Sequence, residues 1–171
     1  MKSWKQLTLA AATFGAMLFS AQAAAVLPLS ITANAGTADV SYGGKSATGY
    51  TWQVSGSYQM NMFSSLNLGY AETRADIPDA TNVDREYKAS TVPLTLTLHA
   101  PFVLGEAYVR GGGNYYNNTY FNKEEDGFGV VGAVGVSIGT GIGPAFSVEL
   151  GYSDQGSAES TTISVGASMN F

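Results

Sequence analysis

The sequence predicts an all-β fold, an eight-stranded antiparallel up-and-down transmembrane β-barrel. Three observations carry that prediction. Segment after segment alternates apolar and small polar residues with period two, the mark of strands with two unlike faces. Charged residues are only 12% of the chain, about half the usual share. Glycine takes 21 of 171 positions, while hydrophobic residues hold at 45%, too many for a disordered chain.

The N-terminus is set aside first. Lys2 and Lys5 precede a mostly apolar run from Leu7 to Phe19, and Ser20-Ala21-Gln22-Ala23 follows with small residues at the spacing of a cleavage site. This reads as a secretory signal peptide over residues 1–23, leaving a barrel over 24–171. The run is too short to cross about 30 Å of hydrocarbon as a helix. Loss of the two lysines moves the formal charge from −5 to −7, which argues against nucleic acid as a partner. The chain has no Cys, so disulfides cannot stabilise the exported protein.

The strands follow in order. The first lies within Leu29–Tyr42, where Ile31, Ala33 and Ala35 alternate and the phase then slips before Val40 and Tyr42. A bulge over Gly36–Asp39 is expected to restore it. Tyr50–Met60 sets Trp52, Val54, Tyr58 and Met60 against Gln53, Ser55, Ser57 and Gln59. Ser65–Asp76 sets Leu66, Leu68 and Tyr70 against Asn67, Gly69 and Ala71. Tyr87–Ala100 sets Val92, Leu94, Leu96 and Leu98 against Thr91, Thr95, Thr97 and His99. Glu106–Phe121 ends in a Tyr/Asn cluster, and Gly111-Gly112-Gly113 within it suggests curvature or close packing. Phe128–Gly139 and Ala145–Asp154 alternate as cleanly. The terminal TTISVGASMNF puts Ile163, Val165, Ala167, Met169 and Phe171 on one face.

The connections alternate in character. Asn61–Ser64, Pro101–Gly105 and Thr140–Pro144 are short and nearly uncharged. Gly43–Gly49, Ile77–Glu86, Asn122–Asp126 and Gln155–Glu159 are longer or more polar. Short turns at one end and longer loops at the other match a transmembrane barrel.

The composition of the polar face decides which side faces out. A face in water would carry Lys, Glu and Arg; this one holds Ser, Thr, Gly, Gln and Asn, which suit a narrow interior. The apolar face then meets lipid. There an unpaired strand edge costs several kcal/mol for each unsatisfied group, so the last strand must close on the first. Trp52, Tyr70, Tyr87, Tyr115 and Tyr152 are expected as interface aromatics.

The segment TTISVGASMNF resembles the C-terminal strand of Gram-negative outer-membrane proteins. The segment TVPLTLTLHAPFVLGEAYVRGGGNYYN resembles the central hairpin of the small OmpA/OmpX-like and opacity-like barrels. The resemblance implies a place in the cell outer membrane, with termini toward the periplasm and lipid and lipopolysaccharide around the wall. It also implies that Ile163, Val165, Ala167, Met169 and Phe171 are read by the barrel-assembly machinery. A monomer is expected.

Three charges are phased toward the interior, Glu106, Arg110 and Glu149, and are expected to form a lumen ion-pair network. His99 is the only histidine and stands at a strand end beside a short turn. A single His without Cys makes no metal site, and no catalytic role is expected of it. Gly139–Gly143 has glycine but no P-loop lysine. The Asn117-Asn118-Thr119 sequon carries no meaning if the source is bacterial, as the resemblance implies. The acids at Asp76, Asp79, Asp84, Glu86 and Glu124–Asp126 lack the order of a calcium loop and read as solvated. No cofactor and no enzymatic activity are expected. A structural or surface-interaction role leads, ahead of a narrow channel for small solutes or hydrophobic molecules, and of a loop-mediated adhesin.

Overall fold

A computed structural model describes residues 28–78, 83–120, 123–139 and 143–171. The expected signal peptide, the barrel boundary at residue 24, and parts of the expected connections at 79–82, 121–122 and 140–142 lie outside the described residues. Eight strands follow one another: β1 Leu29–Tyr42, β2 Lys45–Asn61, β3 Ser64–Pro78, β4 Asp84–Phe102, β5 Gly105–Tyr120, β6 Lys123–Gly139, β7 Gly143–Gln155 and β8 Ala158–Asn170. Each pairs antiparallel with its neighbours in sequence, and β1 pairs with β8 from Ser30↔Asn170 to Tyr42↔Ala158. The sheet is a closed barrel. Phe171 adds its own backbone N–H to Leu29 O at 3.0 Å, tying the C-terminus to the first strand.

The strands run to between 13 and 19 residues, more than the 9–11 or so that a tilted strand needs to cross hydrocarbon. The surplus stands at the end that carries the Gly43-Gly44 and Gly156-Ser157 turns, here called the distal end. The opposite end carries Pro28 and Phe171 and is the terminal end. Gly43 and Gly44 sit at φ 57° and 79°, the left-handed values that a two-residue hairpin turn requires.

Around the middle and lower wall the outward face is apolar. Leu66, Leu68, Leu94, Leu96, Val109, Val134, Val136, Val148, Leu150, Ile163 and Val165 are all exposed. The inward face there holds Asn34, Ser55, Asn67, Thr95, Thr97 and Ser164, all buried. Toward the distal end both faces reverse. Ala38, Val40, Ala75, Ile77, Tyr87, Ala89 and Ala158 form a buried cluster inside, with Tyr42, Ala47 and Tyr120 packed against it. Outside stand Thr37, Asp39, Ser41, Asp76, Lys88, Asn117, Asp126 and Glu159. The barrel is thus inside-out where its wall is apolar and built like a soluble protein above it.

The first strand therefore has no bulge over Gly36–Asp39. Its pairing runs without a shift from Leu29↔Tyr58 to Tyr42↔Lys45 on one side and along β8 on the other. Val40 and Tyr42 keep the inward phase of Asn34 and Ala38. The reversal is one of surroundings, not of register. The register shift that does occur lies between Gln59 and Asn61 on β2.

The expected longer loops are corrected for the same reason. Lys45–Gly49, Asp84–Glu86, Lys123–Asp126 and Ala158–Glu159 are strand, and their polar side chains come from strands standing in water. Two-residue turns serve β1–β2 and β7–β8 at one end, and β2–β3 and β4–β5 at the other. Among the described connections, length does not separate the two ends.

Two seams open in the distal wall. Pairing of β2 with β3 starts at Tyr50↔Arg74, so Lys45–Gly49 has no β3 partner. Pairing of β6 with β7 starts at Val131↔Ser153, so Lys123–Val130 has no β7 partner. The wall divides there into β7-β8-β1-β2 and β3-β4-β5-β6, which press their inner faces together. Tyr42 from one half meets Tyr87 and Tyr120 from the other, at ring-centroid distances of 6.0 and 4.8 Å. Tyr87 donates to Gln155 Oε1 at 2.9 Å, Asn118 Nδ2 to Gln155 O at 2.9 Å, and the Ser157 amide to Glu125 Oε1 at 3.3 Å. The halves close as a small two-sheet sandwich with an apolar core.

Candidate functional site

The lumen is divided by its own side chains. Arg110 on β5 and Glu149 on β7 both point inward, as their phase requires, and meet at 2.6 Å between Nη2 and Oε1. Arg110 also donates to Gln53 Oε1 from β2 at 3.0 Å, and Tyr108 donates to Glu149 Oε2 at 3.0 Å. Four side chains from β2, β5 and β7 thus lie across the interior. Both charges are nearly buried, Glu149 at 5% exposure. Charges so desolvated persist only when paired and hydrogen-bonded.

Below this crossbar lies a vestibule of about 940 Å³ that opens at the terminal end. Above it is a chamber of about 70 Å³ lined by Thr51, Thr73, Thr91 and Asn114 together with apolar Ala71, Pro93, Val131 and Ala133. Asn34, Arg110 and Glu149 border both spaces. The apolar cluster around Tyr87 then seals the distal end. Burial, with Glu125 adding its charge, holds the Tyr87 phenol above its ordinary pKa. That hydroxyl stays a neutral donor to Gln155.

Of the three predicted lumen charges, the structure brings Arg110 and Glu149 together. Glu106 goes elsewhere: its carboxylate lies 3.1 Å from His99 Nδ1, lower in the vestibule. Glu106 is four residues from Arg110 on the same strand, so its side chain sits two inward positions nearer the terminal end. Tyr108, Gln53 and Ser65 are lumen residues that the sequence reading did not single out. Their inward phase is legible in the alternation; their partners across the barrel are not.

Four of the five predicted aromatics stand on the outer wall. Tyr70, Tyr115 and Tyr152 are exposed there, and the Trp52 ring lies tilted against Tyr70 with centroids 5.5 Å apart. Tyr87 does not join them. It is 0% exposed and fills the distal core, because it shares the inward phase of Thr91 and Thr95 on β4. Ile163 and Val165 face outward and are exposed. Ala167 and Met169 continue that face to Phe171 at the terminal mouth.

Within the glycine triplet, close approach requires glycine at Gly112 alone. A Cβ there would run into the backbone of Leu94 and Thr95, whereas Gly111 and Gly113 leave ordinary room. Among the described residues no cluster of three or more His, Cys, Asp or Glu could hold a metal.

A closed eight-stranded antiparallel wall, apolar outside and polar within, is the architecture of an outer-membrane β-barrel. Solved structures of that class have the same fold. Neisserial surface protein A superposes with a TM-score of 0.71 at 16% identity, over 84% of this chain and 97% of its own. The attachment invasion locus protein of Yersinia pestis does so at 0.58 and 15%, over 84% and 97%. Outer membrane protein OprG from Pseudomonas aeruginosa gives 0.58 and 13%, over 85% and 98%. No family model matches the chain, and no curated protein matches it.

Proposed function

We propose that this chain is a non-conducting outer-membrane barrel with a structural role in the envelope, holding a compact polar rim at the cell surface. One observation carries the reading: the lumen is closed twice, by the Arg110–Glu149 crossbar and by the apolar sandwich around Tyr87. An eight-stranded wall leaves an interior that side chains can fill, and here two chemically different layers fill it. The outer-membrane setting rests on the uncharged apolar belt and on the fold shared with outer-membrane barrels. The termini then face the periplasm and the Gly43-Gly44 and Gly156-Ser157 turns face outward.

Short distal turns give an adhesin little loop to present, and the double closure disfavours a channel. The test is reconstitution in planar lipid bilayers of protein whose migration on SDS gels shifts with heating. An electrically silent membrane is the expected result. Discrete conductance steps from the wild-type chain would overturn the reading and restore the channel.

A further inference from the structure

Ser65 on β3, His99 on β4 and Glu106 on β5 converge on the wall of the vestibule. Ser65 Oγ lies 2.9 Å from His99 Nε2. His99 Nδ1 lies 3.1 Å from Glu106 Oε2. The second pair is a charge contact that falls short of hydrogen-bond geometry, so Nδ1 has no hydrogen-bond partner. The strand ends set this arrangement. The His99 amide donates to Phe63 O at 2.8 Å, which seats the end of β4 beside the start of β3. The Pro101↔Glu106 pair then brings the carboxylate alongside from β5.

We propose that Ser65, His99 and Glu106 form an acyl-transfer triad that hydrolyses carboxylic esters entering the vestibule from the terminal end. This goes beyond an envelope role and departs from the expectation of no enzymatic activity. The two ring nitrogens are allotted as the chemistry needs. With the proton on Nδ1, the Nε2 lone pair faces Ser65 Oγ at 2.9 Å, and a modest turn of the ring would bring the Nδ1–H onto Glu106, 3.1 Å away. Contacts of this kind are commonly loose without substrate and tighten when it binds.

The reaction balances with water as its only co-reactant. Ser65 Oγ attacks the ester carbonyl carbon as its proton passes to His99 Nε2. The tetrahedral intermediate collapses, the bond to the alcohol oxygen breaks, and His99 returns the proton to that oxygen. An acyl ester on Ser65 remains. Water then attacks it while giving a proton to His99, and His99 returns that proton to Ser65 Oγ as the carboxylic acid leaves. Glu106 is a positioning residue, holding the imidazole tautomer and stabilising the imidazolium.

The mouth indicates the substrate class. Leu29, Met62, Phe102, Val103 and Phe171 line it, and Val103 is 98% exposed. An apolar acyl chain fits that rim while the carbonyl reaches inward to Ser65, which is 4% exposed and approached through the vestibule. The crossbar blocks the far side, so ester and products share one entrance.

The test uses the full folded chain in detergent micelles, with a fluorophosphonate probe and with p-nitrophenyl butyrate. Peptide mapping is expected to find the probe on Ser65. Ser65→Ala and His99→Gln are each expected to lower butyrate hydrolysis at least ~100-fold, the lower range of general-base contributions. Glu106→Gln should lower it less and displace the pH–rate profile, which a purely structural contact would not do. Each variant is first required to shift its migration on heating, which separates lost chemistry from lost folding. Absence of label on Ser65 in the wild type overturns the proposal, as does hydrolysis unchanged in Ser65→Ala. Either result leaves the three residues as lumen packing and the non-conducting reading intact, because conductance is measured independently.

Discussion

Arg110 on β5 reaches past β6 to the carboxylate of Glu149 on β7, and the 2.6 Å contact crosses the interior of the barrel. It ties together strands that share no backbone hydrogen bonds. Removing the cation alone leaves Glu149 buried with Tyr108 as its remaining partner. Arg110→Met should therefore destabilise the barrel by about 3–5 kcal/mol, the cost of orphaning one member of a buried pair. A lower urea midpoint in lipid vesicles would record it. The double variant Arg110→Met with Glu149→Gln should recover much of that loss, and equal midpoints for the wild type and Arg110→Met would dissolve the crossbar argument.

Tyr87 tests the distal sandwich. Tyr87→Phe deletes only the 2.9 Å bond to Gln155 and should cost about 1 kcal/mol. Tyr87→Ala empties a fully buried site and should cost about 3–5 kcal/mol. Amide exchange is the informative readout. It should rise at Val40, Ile77 and Ala158 in the alanine variant, while Leu94–Leu98 stays protected and the heat-dependent migration shift persists. Uniform loss of protection would mean that the sandwich and the belt unfold as one unit.

The boundary between lipid and water on the outer wall can be located with single arginines. Leu94→Arg places a charge in the apolar belt and should cost about 2–4 kcal/mol. Asn117→Arg sits on the polar outer face above it and should stay within about 0.5 kcal/mol of wild type. Equal costs at both positions would contradict the reversal of faces between belt and rim.

Gly112 and Gly113 should respond differently to a methyl group. Gly112→Ala drives Cβ into the backbone of β4 and should cost about 1–3 kcal/mol through overpacking. Gly113→Ala meets its nearest atom at 3.6 Å and should be tolerated. Matched unfolding curves for the pair would settle whether close approach, rather than glycine content, matters here.

The sequence by itself determined the strands, their number and which side chains share a face, because a period of two survives whatever surrounds the strand. It placed Arg110, Glu149 and Glu106 inside and Ile163 and Val165 outside. It also contained the inward phase of Tyr87, since Tyr87 and Thr91 are four residues apart on one strand, although tyrosine's liking for interfaces pointed the other way. What alternation cannot carry is the medium on either side of the wall. Val40 looked out of phase because an apolar residue was expected to face lipid, and Lys123–Asp126 looked like a loop because charge was expected only beyond the strands. Tertiary structure decided that the strands outrun the membrane, so polarity inverts while register holds. It alone decided side-chain pairing inside the barrel: Arg110 with Glu149 and Gln53 across the lumen, and His99 with Ser65 and Glu106 on neighbouring strands. The crossbar contacts depend on how far side chains project from a curved, closed sheet, a distance that exists only once β8 has met β1.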